Sequence, residues 1–303
     1  MSPLPHLAAR RGARFPSLKG RSTLSDDNRL TAILPTWLLS PPRWRIGLTY
    51  RWKHGRWPQL TKPLRFTEFV QRRKLEDRDP RIPARSDKVA VKAHVATTLG
   101  TSWVTPTLWH GTELPEQVPV PLPFVMKARH GCGQVEIVRD EFQWQQAKAS
   151  ARRWVRQTYG SWLDEWAYQH IPRGLLIEPL LGDGVVLPID YKFIVISARV
   201  ECIEVHLDRK GNHRWVTLDR DWNPISQTPL DIVEAPVCLA EMIEGAERLG
   251  RDHDCVRIDL YVIDNRPRFG EMTFYPGSGL LPINPLALDL TLGQAWARAS
   301  RTV

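Results

Sequence analysis

The chain has 303 residues, 42% of them hydrophobic and 25% charged. This is a globular composition that excludes wholesale disorder and fibrous repeats and leaves room for one large domain or two modest ones. The formal charge is +9, and the excess sits at the front: residues 1–75 hold 16 Lys and Arg against Asp26, Asp27 and Glu68. A basic front on a mildly acidic body attracts polyanions, whether nucleic acid, an anionic membrane face or an acidic glycan.

Residues 1–42, rich in Arg, Pro and Ser without a sustained period, read as a mobile tail or a loosely docked arm. The start of the chain lacks an apolar core of signal-peptide length, and the longest uncharged early run, Leu30 to Pro42, is too short to cross a bilayer. Cys132, Cys202, Cys238 and Cys255 form no CxxC pair, which argues against a zinc site or a disulfide framework and for reduced thiols. A cytoplasmic protein, with peripheral contact at the inner membrane face, is the expectation.

Residues 43–85 form a basic, Trp-rich lead-in. Trp44, Trp52, Trp57, Phe66 and Phe69 alternate with Arg43, Arg45, Arg51, Lys53 and Arg56. Aromatics among cations can grip single-stranded nucleic acid, but short amphipathic helices with solvated arginines explain them better. The 13 tryptophans are expected mostly in the core and in packing between subdomains, since aromatics bury the largest areas. Pro80 and Pro83 predict an extended connector. Ser86 is the expected N-cap of a helix running to Leu99 and stopped by Gly100.

Strands are predicted at Val104–Leu108, Phe124–Arg129, Val135–Val138, Leu175–Leu181, Lys192–Ile196, Glu201–Leu207, Val256–Ile263 and Pro267–Phe274. Helices are predicted over Phe142–Tyr159 and around Leu239–Leu249. Segregated helices and tight hairpins give an α+β layering.

The sharpest chemical signal lies in the last hairpin. With Asp264-Asn265-Arg266 as a symmetric turn, residue numbers opposed across it sum to 530, so Asp259 faces Glu271 and Arg257 faces Thr273. Two anions with Cβ atoms about 5 Å apart are destabilising without a partner. A magnesium ion, with its taste for carboxylate and phosphate oxygens, would relieve them; Arg257 neutralising the pair is the alternative. A second signal is Lys127 at a strand end followed by Gly131-Cys132-Gly133, a loop that can cradle phosphate; an ordinary hairpin with a surface lysine is the alternative. A third is the strand break at Glu178-Pro179-Leu180, where free backbone groups could hold adenine, unless it is a plain buried strand end. Lys192 is placed to face the same crevice. Tyr275-Pro-Gly-Ser278-Gly is not a serine-hydrolase elbow, and its serine could position an anion.

In order along the chain, Leu75-Glu-Asp-Arg, Ser86-Asp-Lys, Asp190-Tyr-Lys-Phe, Asp221-Trp-Asn-Pro, Val-Arg257-Ile-Asp-Leu-Tyr and Glu271-Met-Thr-Phe-Tyr-Pro-Gly-Ser-Gly resemble the TupA-like ATP-grasp family, over roughly residues 43–295. That family is associated with teichuronopeptide and other cell-surface polysaccharide synthesis. The resemblance implies two α+β subdomains, within 86–300, clamping ATP. It assigns phosphate binding to Lys88, Lys127 and the Gly131-Cys132-Gly133 loop, adenine to Glu178 and Leu180, and magnesium to Asp259, Glu271 and Thr273. Arg257 and Lys192 become the catalytic candidates. It also implies an ATP- and Mg-dependent carboxylate–amine ligase working through an acyl phosphate. The partner would be an acidic glycan or an amino-acid-type substrate rather than nucleic acid. The sequence departs from the pattern at Thr273, where related ligases have Asn, and at Cys132-Gly133-Gln134, where the family usually has Ser-Gly-Gly. Residues 1–85 also lack the N-terminal α/β domain of many ATP-grasp enzymes. Two other functions compete. A glycosyltransferase would use Asp77-Arg-Asp79 or Asp252-His-Asp254 as its metal motif. A non-catalytic polyanion-binding homologue would rely on the basic front.

Overall fold

The computed structural model describes residues 41–182, 187–207, 214–225 and 233–300. The predicted tail therefore lies outside the described residues except for its last two. The lead-in is helical: α1 (Pro42–His54), α2 (Phe66–Glu76) and α3 (Arg81–Ser86). The expected extended connector is α3 instead. Pro83 sits in its first turn, where a missing N–H costs nothing. The expected Ser86 N-cap is also corrected. Ser86 ends α3, and Asp87 does the capping: its Oδ1 accepts the N–H groups of Val89 at 2.9 Å and Ala90 at 3.3 Å. A turn follows, and α4 runs Val91–Leu99.

Two antiparallel sheets follow. The first contains β1 (Trp109–Gly111), β2 (Phe124–Ala128), β3 (Val135–Val138) and β4 (Leu175–Pro179) in the order β1-β4-β2-β3. The strand expected at Val104–Leu108 is not there; a 3-10 turn at Thr101–Trp103 delays pairing until Trp109. α5 (Glu141–Arg156), capped by Asp140 Oδ1 accepting from Gln143 N at 2.8 Å, lays Trp144, Ala147, Ala151 and Trp154 on this sheet. These residues recur at helical spacing, and the Trp144 ring meets Phe124 edge-on at 5.8 Å. The short α6 is Trp166–Gln169.

The second sheet contains β5 (Asp190–Ile196), β6 (Arg199–Leu207), β7 (Arg214–Leu218), β8 (Cys255–Ile263) and β9 (Arg266–Thr273), ordered β7-β6-β5-β8-β9. One face carries Phe193, Ile203, Ile258, Leu260 and Met272 into the larger core, against α2, α7 (Leu239–Gly250) and α8 (Leu286–Ala299). The alternation that buries these residues turns Lys192, Arg257, Asp259, Glu271 and Thr273 to the other face. α2 is locked to the ends of the β8–β9 hairpin. The buried Arg73 guanidinium donates to the carbonyls of Cys255 (2.7 Å) and Phe274 (3.2 Å), and it pairs with Asp254, which also accepts Trp296 Nε1 at 2.6 Å.

Of the 12 tryptophans among the described residues, Trp103, Trp144, Trp154 and Trp296 are buried and Trp109, Trp166 and Trp222 pack partly buried against the cores, so most are packing residues as expected, while five are exposed.

Candidate functional site

The acid pair stands where the hairpin arithmetic puts it: Asp259 opposes Glu271 and Arg257 opposes Thr273. The route differs from the symmetric turn expected. The turn has two residues, Asp264 (φ 52°) and Asn265 (φ 56°), with Ile263 opposite Arg266. This is the left-handed pair of a tight hairpin. On its own it would pair Asp259 with Gly270. A bulge between Asp259 and Leu260 inserts one residue on β9 and restores the 530 register. Gly270 is the residue inserted, and a Cβ there would lie 2.9 Å from the Asp259 carbonyl oxygen. A glycine is therefore required for Glu271 to face its partner.

Asp259 is 2% exposed and heavily engaged. Its two oxygens accept from Arg257 Nε at 2.6 Å, Arg257 Nη2 at 2.7 Å and Lys192 Nζ at 2.6 Å. Lys192 also reaches Asp190 at 2.7 Å, and Arg257 Nη2 reaches Glu271 Oε1 at 3.1 Å and Thr273 Oγ1 at 3.2 Å. Burial works against the charged Asp259 carboxylate, but Arg257 and Lys192 outweigh it and hold its pKa far below the usual range. Burial and Arg257 disfavour the Lys192 ammonium, and Asp259 with Asp190 overcomes them, so its pKa is raised. Both groups are charged at neutral pH.

The α3–α4 turn, α4 and the first sheet bring cations together beside this face. Lys88 donates to the carbonyl of Gly131 in the glycine loop and stands 3.8 Å from Glu271 Oε2 on β9. Lys88 is positioned by Asp87, beside it, which takes a bidentate pair from Arg129 at the end of β2 (2.6–2.9 Å). Gly131 is buried, while Cys132 and Gly133 are exposed and Gly133 is left-handed at φ 72°. Lys127 Nζ meets Glu178 Oε2 at 2.6 Å, and Lys92 Nζ meets Glu178 Oε1 at 2.5 Å. The buried Glu178 carboxylate is thus a bridge between two lysines rather than a free group at a strand break, and Leu180 lies half-buried just beyond β4. Burial raises the Glu178 pKa and the two lysines more than reverse it, leaving it lowered. Burial lowers Lys92, and Glu178 only partly offsets this.

Lys92 and Arg129 are missed by the motif reading, and Asp87 and Asp190 fall inside its motifs without being given a role. Lys92 lies on the first turn of α4, four residues after Lys88 in the preceding turn. Ser278, expected to position an anion, is engaged: Lys74 Nζ donates to its Oγ at 2.7 Å, and Gln71 Nε2 to its carbonyl at 2.9 Å. Of the two Asp-x-Asp candidates, Asp79 is held by Arg81 and Asp77 lies 3.2 Å from Arg73, so neither carboxylate of that motif is uncommitted.

The family model of the TupA-like ATP-grasp proteins matches residues 68–297, three quarters of the chain and the whole of the site. The chain belongs to the TupA-like ATP-grasp family. Its two antiparallel sheets with flanking helices are the ATP-grasp fold. Similar solved structures include the D-alanine–D-alanine ligase of Helicobacter pylori (18% identity, TM-score 0.40, 71% of this chain and 58% of that one). The D-alanine–D-alanine ligase of Bacillus anthracis complexed with ATP matches at 13% identity and TM-score 0.43, over 73% of this chain and 67% of that one. The L-amino acid ligase of Bacillus licheniformis matches at 14% and 0.46, over 76% and 61%. The chain thus spans less than two thirds of the Helicobacter pylori and Bacillus licheniformis ligases. The comparison with curated proteins returned no match.

The residues fit a magnesium–nucleotide complex in their chemistry. Among the described residues no three His, Cys, Asp or Glu form a metal-holding cluster; the groups that would hold a magnesium ion here are the carboxylates of Asp259 and Glu271 and the hydroxyl of Thr273. That leaves coordination positions for phosphate oxygens and water, as magnesium prefers. Glu271, a quarter exposed, carries the accessible oxygens. Both oxygens of Asp259 are engaged by Arg257 and Lys192.

Proposed function

We propose that this protein is an ATP- and magnesium-dependent ligase that joins a carboxylate to an amine through an acyl phosphate, and that it acts on a cell-surface glycan or its precursor. The observation that carries the reading is the position of Lys88. It touches the glycine loop of one sheet and the acid pair of the other, so a polyphosphate laid against it meets cations on one side and carboxylates on the other.

In this reading Lys88, Lys127 and the loop Gly131-Cys132-Gly133 hold phosphates, and the segment Glu178–Leu180 borders adenine. Asp259, Glu271 and Thr273 hold magnesium, which when bound withdraws charge from the phosphates. The substrate carboxylate oxygen attacks the γ-phosphorus and ADP leaves. The amine then attacks the acyl carbon, phosphate leaves, and the amine proton passes to solvent. Arg257 and Lys192 neutralise charge developing on the transferring group, which is where a preorganised site gains most. Arg257 and Lys192 exchange Asp259 for phosphate oxygens as the complex forms. A half-open depression of about 350 Å³ beside the glycine loop, lined in part by His130, Tyr159, Tyr168 and Arg173, is the candidate place for the substrate in this reading. Its aromatic walls and one guanidinium suit a carboxylated sugar.

The test mixes the protein with ATP, magnesium, uronic acids and amino acids and follows ADP. Release that requires both an acid and an amine supports the reading. No turnover across a broad panel, together with no nucleotide binding by calorimetry, contradicts it. Preference for a nucleotide sugar over ATP in thermal shift would favour the glycosyltransferase. Steeply salt-dependent polyanion binding without ATP hydrolysis would favour a non-catalytic homologue.

A further inference from the structure

Helix α1 buries Ile46, Gly47 and Tyr50. It is fixed in place by the Arg45–Asp164 ion pair, by Tyr50 Oη against Thr67 Oγ1 at 3.0 Å and by His54 Nε2 against the carbonyl of Gly279 at 3.1 Å. Its outer side carries Trp44, Leu48 and Trp52, which are 61%, 38% and 74% exposed. Residues four apart on a helix advance by only about 40° around it, so the three make one stripe. Trp57, half exposed, folds back on α1 over Gly47, where a Cβ would stand 3.1 Å from its ring.

Exposed cations surround the stripe. The Lys53 ammonium sits 4.3 Å from the centre of the Trp52 ring, the Arg51 guanidinium 5.5 Å from that of Trp57, and Arg43 flanks Trp44. From Asn28 to Thr67 the sequence holds eight Lys and Arg and no acid.

We propose that the exposed face of α1 is an interfacial anchor that seats the protein on an anionic lipid surface, its indoles and leucine entering the headgroup region and its cations pairing with lipid charge. This inference stands apart from the ligase reading. A second copy of the chain is a poor occupant, because a two-fold contact would bring Arg43, Arg51 and Lys53 against themselves. An acidic polymer would satisfy the cations but leave Trp44, Leu48 and Trp52 in water. Only a surface apolar below and anionic above satisfies both, and tryptophan with its polar N–H on an apolar body is the side chain that settles at such a boundary.

The test is sedimentation of the full chain with phosphatidylcholine vesicles, with and without phosphatidylglycerol, read also by tryptophan emission. We expect binding and a blue shift with the anionic vesicles alone. Arg43→Gln, Arg51→Gln and Lys53→Gln together should weaken partitioning by roughly 100-fold, at about fivefold per charge near an anionic surface. Trp44→Ala, Leu48→Ala and Trp52→Ala together should weaken it at least tenfold and remove the blue shift, with far-UV circular dichroism unchanged. Three results would overturn the proposal: no binding to anionic vesicles; binding that the Trp/Leu variant leaves intact, which would be attraction of the basic front alone; or tighter binding to polygalacturonate than to vesicles, which would make the face a glycan site. None of these alters nucleotide binding, so the ligase reading stands or falls separately.

Discussion

On the four-stranded side of the site, Lys92 and Lys127 share one carboxylate, Glu178, with Lys88 nearby. On the five-stranded side, Arg257 and Lys192 serve Asp190, Asp259 and Glu271, and Glu204 adds its charge from the neighbouring strand. The first side has surplus positive charge and the second surplus negative. Buried charges are tolerated only with partners, so each side is left needing what the other lacks. A metal polyphosphate is one object that satisfies both, with phosphate toward the lysines and metal toward the acids. In the structure itself Arg257 and Lys192 neutralise the acids, and the proposed reading requires that these pairs give way to a bound metal polyphosphate.

The strongest way to break this comparison is at the acids. Asp259→Asn or Glu271→Gln should lower ATP turnover at least about 100-fold, the scale expected for losing a preorganised electrostatic contact. Unchanged ADP release in both variants would remove the acids from the chemistry. On the cationic side, Glu178→Gln leaves Lys92 and Lys127 buried without their shared anion. It should cost about 3 kcal/mol of stability, measured by denaturant midpoint. A loss below about 1 kcal/mol would mean that the lysines are already solvated.

How much of this was legible in the sequence follows the range of each interaction. The hairpin register was readable because strand period and turn residues are local. Even so, it was right for a partly wrong reason: the turn is one residue shorter than read, and the Gly270 bulge makes up the difference. The α3–α4 junction was misread because Ser86 and Asp87 are both good caps and only the Arg129 pair decides between them. The Glu178 bridge joins residues 51 positions apart at Lys127 and farther still at Lys92, and no local pattern announces it. The exposed tryptophans were hidden by composition, since a large indole is ordinarily core.

Smaller effects sharpen the picture. Lys74 is buried against Ser278, and burial, opposed by Glu165 and Asp164, pushes its pKa down to about 8. Between pH 8 and the ordinary lysine value the unfolded chain binds the extra proton. Stability should therefore rise with pH across that window, by a few kcal/mol at most, and be flat below it. Chemical denaturation at a series of pH values checks this, and Lys74→Met should flatten the curve. The smallest effect on turnover is expected from Arg129→Met, which leaves the buried Asp87 without its guanidinium, at a cost in stability, and loosens Lys88. It should raise the KM for ATP about tenfold with kcat nearly unchanged, since it disturbs binding geometry rather than the reacting groups. A fall in kcat alone would assign Arg129 elsewhere.

The central claim, that one side of the site takes phosphate and the other takes metal, is tested most directly by calorimetry of ATP binding with and without magnesium in three proteins. Native protein should bind ATP more tightly with magnesium. Glu271→Gln should lose that gain while keeping its metal-free affinity, and Lys127→Met should bind weakly under both conditions. Equal magnesium enhancement in native and Glu271→Gln protein, or ATP binding indifferent to Lys127, would contradict the account.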